Sequence, residues 1–271
     1  MLVFPNCKIN LGLQVLNKRQ DGFHDLETVF YPIPLYDAVE IIQNQHSSSI
    51  DFSQTGIKVD VSSSDNLCVK AYHLLKTDFP HLPPVKLHLH KSIPMGAGLG
   101  GGSANGAFVL LLLNSKFGLQ LSENQLIDYA LRLGSDCPFF IRNKPSIATG
   151  RGEKMEDIQL DLSPYRIVLV NPKVHINTGW AFKQIALTHK EAALRDVISA
   201  PIESWKERLY NDFEIPVFKS FPEVAAIKST LYDSGALYAS MSGSGSTVYG
   251  IFPKSAEPDL SFPEHYFVKV L

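Results

Sequence analysis

Apolar and polar residues alternate without a break over residues 7–15. Every odd position of this run is apolar, whereas Lys8, Asn10 and Gln14 occupy even positions. Alternation with a period of two predicts a β-strand with one buried face. The same alternation over residues 85–90 predicts a second strand of this kind, with its three polar residues on an exposed face.

Further strands and helices follow from periodicity, caps and turn residues. Helices are predicted over residues 66–76 after a cap at Asp65, from the capping box Ser122–Gln125 to Gly134, over 179–186 after a cap at Thr178, and from Pro222 to Gly235. Strands are predicted over residues 27–33, 38–42, 50–52, 57–61, 167–170, 236–241, 247–252 and 265–270. Strands and helices mixed without regular alternation predict an α+β protein. Residues 161–164 are the candidate boundary between two domains, 1–160 and 161–271.

A glycine-rich loop at residues 94–105 is the most informative stretch of the chain. Five of the seven residues from Gly96 to Gly102 are glycine, and residues 107–113 are all apolar, which predicts a buried helix directly after the loop. Glycine permits positive φ and close approach of the backbone to a ligand. A helix N-terminus adds unpaired N–H groups and partial positive charge, so the loop is a candidate phosphate cradle.

Two common phosphate-binding loops do not fit this stretch. The P-loop requires lysine where this chain has Gly102. Residues 96–101 satisfy G-x-G-x-x-G, but a dinucleotide-binding fold also needs a second strand and then an acidic residue, and no strand is predicted between the helix and the next one. A glycine-rich turn with no ligand remains the alternative interpretation.

Composition narrows the class of protein. The chain has 271 residues, 45% of them hydrophobic, and a net charge of −2, which gives no reason to expect nucleic acid or an anionic membrane as a partner. No apolar run approaches the roughly 20 residues of a transmembrane helix, and structured sequence starts at about Pro5, so no signal peptide is expected. Cys7, Cys68 and Cys137 lie far apart among apolar residues, as reduced core cysteines of a cytoplasmic protein do.

A phosphate cradle requires partners for phosphoryl transfer, including a group that accepts the proton of the nucleophile. Asp136 precedes the apolar run Cys137–Phe140, and a carboxylate in apolar surroundings needs a cationic or hydrogen-bonding partner. Lys8, on the polar face of the first strand, is the candidate partner that would keep Asp136 ionised as a base. The alternatives are a surface lysine and a helix N-cap, and sequence spacing does not decide whether the two residues meet.

Seven short motifs in order along the chain resemble the GHMP kinase superfamily. Each is weak alone, but together they span nearly the whole length. They are Pro5–Leu11, Arg19–His24 (R-x-D-G-[YF]-H), Pro94–Ser103, Gly134–Phe140, Gly150–Glu153 (G-x-G-E), Asn211–Glu214 and Met241–Thr247. The second motif resembles the branch whose substrate is a cytidine diphosphate conjugate of methylerythritol, in non-mevalonate isoprenoid synthesis.

The resemblance implies a two-domain α+β fold with an N-terminal ATP-binding domain, a smaller C-terminal domain and an active site in the cleft between them. It implies an ATP-dependent transferase that phosphorylates the 2-hydroxyl of that conjugate. The implied catalytic residues are Lys8 and Asp136. The implied ATP-binding residues are Asn66, Leu67, Lys91 and Met95 around adenine, with Gly96, Gly98, Leu99, Gly100, Gly101, Gly102 and Ser103 around the phosphates.

The implied substrate-binding residues are Asn10, Phe23, His24, Thr178 and Phe182, with His24 reading a cytosine ring held between the two phenylalanines. Core packing is the alternative for Phe182, and loop positions are the alternative for Phe23 and His24. Residues 242–246 are either an ordinary hairpin or a second loop near the phosphates. Mg²⁺ is expected with ATP, although no carboxylate cluster marks its ligands. The rival functions are a GHMP kinase for another alcohol and a non-catalytic ligand sensor.

Overall fold

The structure is a computed structural model that describes residues 1–45, 48–58, 62–185 and 193–271. Its residues form two compact units, each built from several stretches of chain. Unit 1 comprises Met1–Lys8, Pro32–Met95 and Gly100–Lys144, and unit 2 comprises Ile9–Tyr31, Gly96–Leu99 and Pro145–Leu271. The α+β class is confirmed. The division at residues 160 and 161 stays a prediction.

The secondary structure alternates irregularly between strands and helices. In chain order the strands are β1 (Leu2–Val3), β2 (Asn6–Lys18), β3 (His24–Tyr36), β4 (Ala38–Gln43), β5 (Asp51–Gly56), β6 (Val85–Lys91), β7 (Ser146–Gly150), β8 (Lys154–Asp157), β9 (Tyr165–Asn171), β10 (Tyr238–Met241), β11 (Val248–Pro253) and β12 (Phe267–Val270). The helices are α1 (Leu67–Asp78), α2 (Gly101–Phe117), α3 (Glu123–Leu133), α4 (Cys137–Arg142), α5 (Thr178–Gln184), α6 (Leu194–Ile198), α7 (Glu214–Ser220) and α8 (Pro222–Asp233). Short 3₁₀ turns occupy Ser63–Asp65 and Ile202–Glu207.

Unit 1 contains a four-stranded sheet in the order β1-β4-β6-β5 together with helices α1 to α4. β5 runs parallel to β6, and the other pairs are antiparallel. The apolar positions of β6 are buried, and Lys86 and His90 are exposed between them, as the alternation predicts. α2 is the buried helix expected after the glycine-rich loop; it lies between Gly100 and Gly118, whose φ values of 68° and 60° are left-handed.

Unit 2 contains the antiparallel sheet β10-β11-β9-β12. The four remaining strands of the chain form a further sheet in the order β2-β3-β7-β8. Apolar residues of β9, β10 and β11 share one core with α7 and α8. The loop between β10 and β11 holds residues 242–247. A separate segment of the chain, Asn211–Glu214, makes hydrogen bonds beside that loop.

The prediction that β2 is buried on one face only is wrong. Lys8, Asn10 and Gln14 on its polar face are 3%, 2% and 5% exposed, as buried as the apolar residues between them. A polar group loses its water on burial and needs a protein partner instead. Lys8 and Asn10 have such partners, described below, so this face carries polar contacts rather than solvent.

Several predicted caps and ends are also wrong. Asn66, not Asp65, caps α1, because its Oδ1 accepts from the Cys68 N–H at 2.9 Å. Asn177, not Thr178, caps α5, because its Oδ1 accepts from the Trp180 N–H at 2.8 Å. α5 ends at Gln184, and residue 186 of the predicted helix lies outside the described residues.

Other boundaries differ by a few residues or were not foreseen. The strand predicted at 50–52 is β5, which extends to Gly56. Of the strand predicted at 57–61, residues 57 and 58 are not strand, and 59–61 lie outside the described residues. The capping box Ser122–Gln125 is confirmed. Cys137–Arg142 forms α4, which only the alternative interpretation of Asp136 as a helix N-cap had implied.

The three cysteines are free and buried, as predicted. Burial raises the pKa of the Cys7, Cys68 and Cys137 thiols to about 12, so each is a neutral thiol at physiological pH. Within the described part of the chain, no helix is both long enough and apolar enough to cross a membrane.

Candidate active site

Lys8 and Asp136 form an ion pair in unit 1. The Lys8 Nζ lies 3.3 Å from the Asp136 Oδ2, with side chains 4% and 35% exposed. Asp136 occupies the N-cap position of α4 but makes no side-chain cap hydrogen bond. The interpretation of Lys8 as a surface lysine is therefore wrong, whereas Asp136 is at a helix N-cap position and its carboxylate pairs with Lys8. A buried ammonium beside a partly open carboxylate is an arrangement suited to holding an ionised base toward a ligand.

The glycine-rich loop adopts backbone conformations that require glycine. Gly96, Gly98 and Gly100 have φ values of 61°, 79° and 68°. A Cβ on Gly98 would lie 1.9 Å from the Ser242 carbonyl oxygen, and a Cβ on Gly100 would lie 3.1 Å from the Lys8 Cε. These glycines therefore pack the loop closely against other parts of the unit to which each belongs.

Gly102 differs from the other loop glycines. Its φ is not in the left-handed region, and a Cβ on it would meet nothing nearer than the Met95 Cε at 4.0 Å. The fold thus has no steric need for glycine at the second position of α2, where alanine would favour the helix. Free space beside the first-turn N–H groups of α2 fits a phosphate group.

A fully buried polar network lies under the start of α2. The Lys91 ammonium and the Asp37 carboxylate form an ion pair, with both side chains 0% exposed. Asp37 also accepts from the Ser92 and Ile93 N–H groups at 2.7 and 2.9 Å and from the Asn105 amide at 2.9 Å. Desolvation lowers the pKa of Lys91, while Asp37 opposes that shift. Sequence reasoning missed Asp37, because one aspartate between two strands reads as a turn residue.

The predicted adenine-binding residues occupy varied environments in unit 1. Asn66 is buried as the α1 cap, Leu67 is half-buried, and Met95 is 42% exposed. The Lys91 Nζ lies 3.0 Å from where a Cβ on Gly101 would be, so this ammonium supports the loop from beneath. The Ser103 hydroxyl hydrogen-bonds the Cys137 thiol, next to Asp136. Their roles toward ATP stay predictions.

The motif Arg19–His24 forms a turn closed by its own charged residues. The Arg19 guanidinium pairs with Asp21 at 2.9 Å and with Asp25 at 3.1 Å. The Asp21 carboxylate accepts from the Phe23 N–H at 3.1 Å, and the Arg19 N–H donates to the Phe23 carbonyl at 2.8 Å. Hydrogen bonding to Arg19 lowers the pKa of Asp21. These contacts fix the backbone of Phe23, whose ring is 50% exposed.

His24 stacks on Phe182, with ring centroids 4.7 Å apart and planes at 15°. Phe182 also meets Phe213 edge-on at 4.9 Å and packs against the unit 2 core. Phe182 therefore packs against the core of unit 2 and also stacks its ring on His24. Burial lowers the pKa of His24, and the positive charge of Lys18 adds to the shift. The imidazole is neutral at pH 7, with one donor and one acceptor nitrogen.

Asn10 and Thr178 both contact the loop between β10 and β11. The Asn10 N–H donates to the Ser242 hydroxyl at 3.1 Å, and the Asn10 side-chain amide donates to Thr28 at 2.9 Å. The Thr178 and Ser244 hydroxyl oxygens are 3.0 Å apart. Ser242 in turn donates to the Gly98 carbonyl at 2.8 Å. The 242–246 loop is therefore a hairpin connection that also touches the glycine-rich loop.

The motif Asn211–Glu214 holds this hairpin loop in place. The Asn211 amide donates to the Met241 and Gly243 carbonyls at 2.6 and 2.8 Å. The Glu214 carboxylate accepts from the Met241 N–H at 2.8 Å and from the Lys228 ammonium at 2.6 Å. Sequence reasoning gave this motif no role. Its run of polar residues before an apolar helix was the available signal.

No group of three or more His, Cys, Asp and Glu residues among the described residues could hold a metal ion. Mg²⁺ typically keeps several waters and binds through one or two protein oxygens plus substrate phosphates. The Ser103 hydroxyl in the first turn of α2 and the neighbouring Asp136 carboxylate are protein oxygens of the required kind. These oxygens are of a kind that fits a Mg²⁺ ion carried by a nucleotide.

Two stretches of the chain match the GHMP kinases. Residues 66–144 match the GHMP kinases N terminal domain, and residues 192–261 match GHMP kinases C terminal. The chain is 49% identical over 271 residues to the 4-diphosphocytidyl-2-C-methyl-D-erythritol kinase of Azobacteroides pseudotrichonymphae genomovar. CFP2, covering 99% of this chain and 100% of that one. It is 50% identical over 253 residues to the enzyme of that name from Bacteroides fragilis strain ATCC 25285, covering 93% and 92%.

Solved structures agree with the sequence relatives. A crystal structure of 4-(cytidine 5'-diphospho)-2C-methyl-D-erythritol kinase superposes with a TM-score of 0.80 at 30% identity, over 93% of this chain and 90% of that one. A mevalonate kinase superposes with a TM-score of 0.70 at 11% identity, over 100% and 98% of the two chains. The second likeness concerns the fold alone.

Proposed function

This chain belongs to the family of 4-diphosphocytidyl-2-C-methyl-D-erythritol kinases within the GHMP kinases, and we propose that it transfers the γ-phosphoryl group of ATP to the 2-hydroxyl of 4-diphosphocytidyl-2-C-methyl-D-erythritol. The observation that carries the proposal is the Lys8–Asp136 pair, with its ammonium buried and its carboxylate partly open. The reaction belongs to non-mevalonate isoprenoid synthesis. Three free, buried cysteines suit a reducing compartment, and we place the enzyme in the cytoplasm.

Asp136 acts as the general base of this reaction. Its carboxylate accepts the proton of the substrate 2-hydroxyl as that oxygen attacks the γ-phosphorus of ATP. Lys8 orients the carboxylate through the 3.3 Å ion pair. Positioned proton acceptance contributes about 10²- to 10⁴-fold to rate, so the pair acts on the chemical step and not on ATP binding.

The loop Gly96–Ser103 holds the ATP phosphates against the N-terminus of α2. Gly98 and Gly100 supply the left-handed turns, and Gly102 leaves room for a phosphate oxygen. Mg²⁺ bound with ATP would neutralise phosphate charge, with the Ser103 hydroxyl as its protein ligand. We assign Asn66, Leu67, Lys91 and Met95 to the surroundings of adenine on the family resemblance.

Phe23, His24 and Phe182 bind the cytosine ring, with the two phenylalanines on its faces and the neutral imidazole at its edge. His24 lies against a face of Phe182, so two of the three residues are neighbours in unit 2, and their roles toward the base follow from the family resemblance. Asn10 and Thr178 contact the remainder of the substrate. Binding energy from the cytosine positions the distant 2-hydroxyl for reaction.

Two rival functions make different predictions. A GHMP kinase for another alcohol has no need of the Arg19–His24 turn, which presents Phe23 and His24 together. A non-catalytic ligand sensor has no need of a buried lysine beside an open carboxylate. The intact ion pair and the ordered turn therefore both favour the proposed activity.

The test is a comparison of substrates with and without cytidine. Purified protein is incubated with Mg²⁺-ATP and 4-diphosphocytidyl-2-C-methyl-D-erythritol, methylerythritol 4-phosphate, mevalonate or homoserine. We expect kcat/KM for the cytidine conjugate to exceed that for methylerythritol 4-phosphate by at least about 10- to 100-fold, from stacking of one base. His24→Ala should lower kcat/KM for the conjugate and leave the truncated substrate unaffected. Equal losses on both substrates would remove His24 from base recognition.

A further inference from the structure

The motif Gly150–Glu153 has no part in the chemistry described above, yet it brings an arginine onto an aromatic ring of the candidate base site. The Arg151 guanidinium lies over Phe23, with its carbon 4.0 Å from the ring centroid. We propose that Arg151 is a positioning residue for base recognition, holding the Phe23 ring flat against the site where cytosine stacks. The inference rests on the proposed function and extends it by one specificity-determining residue.

Strand register brings the two residues together. β3 and β7 pair antiparallel, with Leu26 opposite Gly150. In an antiparallel pair the residues after Gly150 therefore lie beside those before Leu26. Continued by one residue, this register places Arg151 opposite Asp25, and from there its side chain reaches the ring of Phe23, two residues further along, at the end of the β3–β7 ladder.

The loop after β7 fixes the backbone from which Arg151 projects. Gly150 and Gly152 have φ values of 69° and 101°, which only glycine adopts without strain. The Glu153 carboxylate accepts from the Arg151 N–H at 2.5 Å, and a Cβ on Gly150 would lie 2.9 Å from that carboxylate. The pattern G-x-G-E thus encodes a tight turn, closed by glutamate, that aims the intervening side chain.

Phe23 is ordered from the other side by its own turn. The Asp21 carboxylate fixes the Phe23 N–H, and Arg19 holds that carboxylate. The ring itself is half exposed, so without Arg151 its rotamers would be restrained by little. A guanidinium over one face gains cation–π attraction, and the base would stack on the other face. Holding the Phe23 ring in one orientation before binding reduces the conformational entropy that is lost when a base stacks on it.

The test compares Arg151→Met with Arg151→Lys on the cytidine conjugate and on methylerythritol 4-phosphate. We expect Arg151→Met to lower kcat/KM for the conjugate about two- to fivefold, as loss of an exposed cation–π contact implies. The loss should appear mainly in KM, with kcat and Tm near wild type. Arg151→Lys should restore part of the loss. The truncated substrate should be used equally well by all three proteins.

Arg132→Met is the matched control, because Arg132 also lies over an aromatic ring, Tyr129 at 5.4 Å, on the exposed side of α3. We expect it to leave kcat/KM for both substrates unchanged. A double-mutant cycle then separates action through Phe23 from direct contact. In a Phe23→Ala background, Arg151→Met should produce no further loss on the conjugate.

Four outcomes would overturn the inference. Equal fractional losses on both substrates would mean that Arg151 serves the fold or the chemical step. A full loss retained in the Phe23→Ala background would mean that Arg151 contacts substrate directly. A wild-type protein that does not prefer the conjugate would overturn the proposed function, and this inference with it. A wild type that prefers the conjugate while Arg151→Met keeps that preference would overturn this inference alone.

Discussion

The Lys8 Nζ lies 3.3 Å from the Asp136 Oδ2, and the lysine side chain is 4% exposed while the carboxylate is 35% exposed. The two residues are far apart in sequence and reach each other from β2 and from the start of α4. Because the ammonium is shielded from water, its charge acts on the carboxylate with little screening. The carboxylate keeps an open side, on which a hydroxyl can bind.

Removing the lysine charge should therefore disable the base. We expect Lys8→Met to lower kcat about 10²- to 10⁴-fold, with KM for ATP little changed. The double variant Lys8→Met/Asp136→Asn should be little worse than either single variant, since the pair acts as a unit. Lys86→Met, the same substitution at an exposed position of β6, is the control. Additive losses would show that the two residues work independently.

Gly102→Ala should separate ATP binding from stability. The fold leaves room for the added Cβ, and alanine favours a helix by about 1 kcal/mol over glycine. We expect Tm to hold or rise, while KM for ATP increases about tenfold or more because the methyl group occupies phosphate space. Steady-state kinetics at varied ATP and a thermal melt test both parts.

Gly118→Ala is the matched control for Gly102→Ala. Gly118 ends the same helix with a φ of 60° and has open space around it. Alanine there should lower stability by about 1 kcal/mol through left-handed strain and leave KM for ATP unchanged. A Gly102→Ala protein with unchanged KM for ATP would contradict the phosphate cradle at α2.

The main effect of Lys91→Met should be a lower free energy of unfolding. It would leave the Asp37 carboxylate buried without its cation, and breaking a buried ion pair on one side costs about 3–5 kcal/mol. Lys86→Met on the same strand should change the free energy of unfolding by less than about 0.5 kcal/mol. Urea unfolding of both variants gives the comparison. Unchanged stability with a raised KM for ATP would instead favour the adenine role of Lys91.

The lowered pKa of His24 predicts an acidic limb in the pH profile of kcat/KM for the cytidine conjugate. Burial favours the neutral imidazole, so protonation occurs only as pH falls below the ordinary value of 6.5. We expect kcat/KM for the cytidine conjugate to fall with a midpoint below 6.5, since the protonated ring loses its acceptor nitrogen. His24→Ala should show no such limb with the same conjugate. A limb of equal size in the wild type and in His24→Ala would assign the titration to another group.

The sequence predicted most of the elements but not the environment of their polar residues. Period-two alternation located β2, yet it could not tell a solvated face from one covered by Asp136 and Ser242, because those partners come from distant segments. Neighbouring Asp65 and Asn66 are both good cap residues, and only backbone geometry decides that Asn66 caps α1. Asp37 carries no motif, so its buried network with Lys91 was not foreseeable from the chain.

The order of the motifs along the chain identified the candidate site residues. The structure shows which of these residues lie close together. The pairing of Lys8 with Asp136 and the approach of His24 to Phe182 follow from the fold. The position of Arg151 over Phe23 depends on strand register, which depends on the pairing of whole strands. Local patterns carry no information on such register.

The central claim is that Asp136 accepts the proton of the substrate 2-hydroxyl. The most direct measurement follows product formation by ³¹P NMR, with Mg²⁺-ATP and 4-diphosphocytidyl-2-C-methyl-D-erythritol, for the wild type, Asp136→Asn and the exposed control Asp128→Asn. The account predicts a 2-phosphomonoester and ADP from the wild type and the control. It predicts a kcat about 10²- to 10⁴-fold lower for Asp136→Asn with ATP affinity retained. No product from the wild type, or more than about a tenth of wild-type kcat in Asp136→Asn, would contradict it.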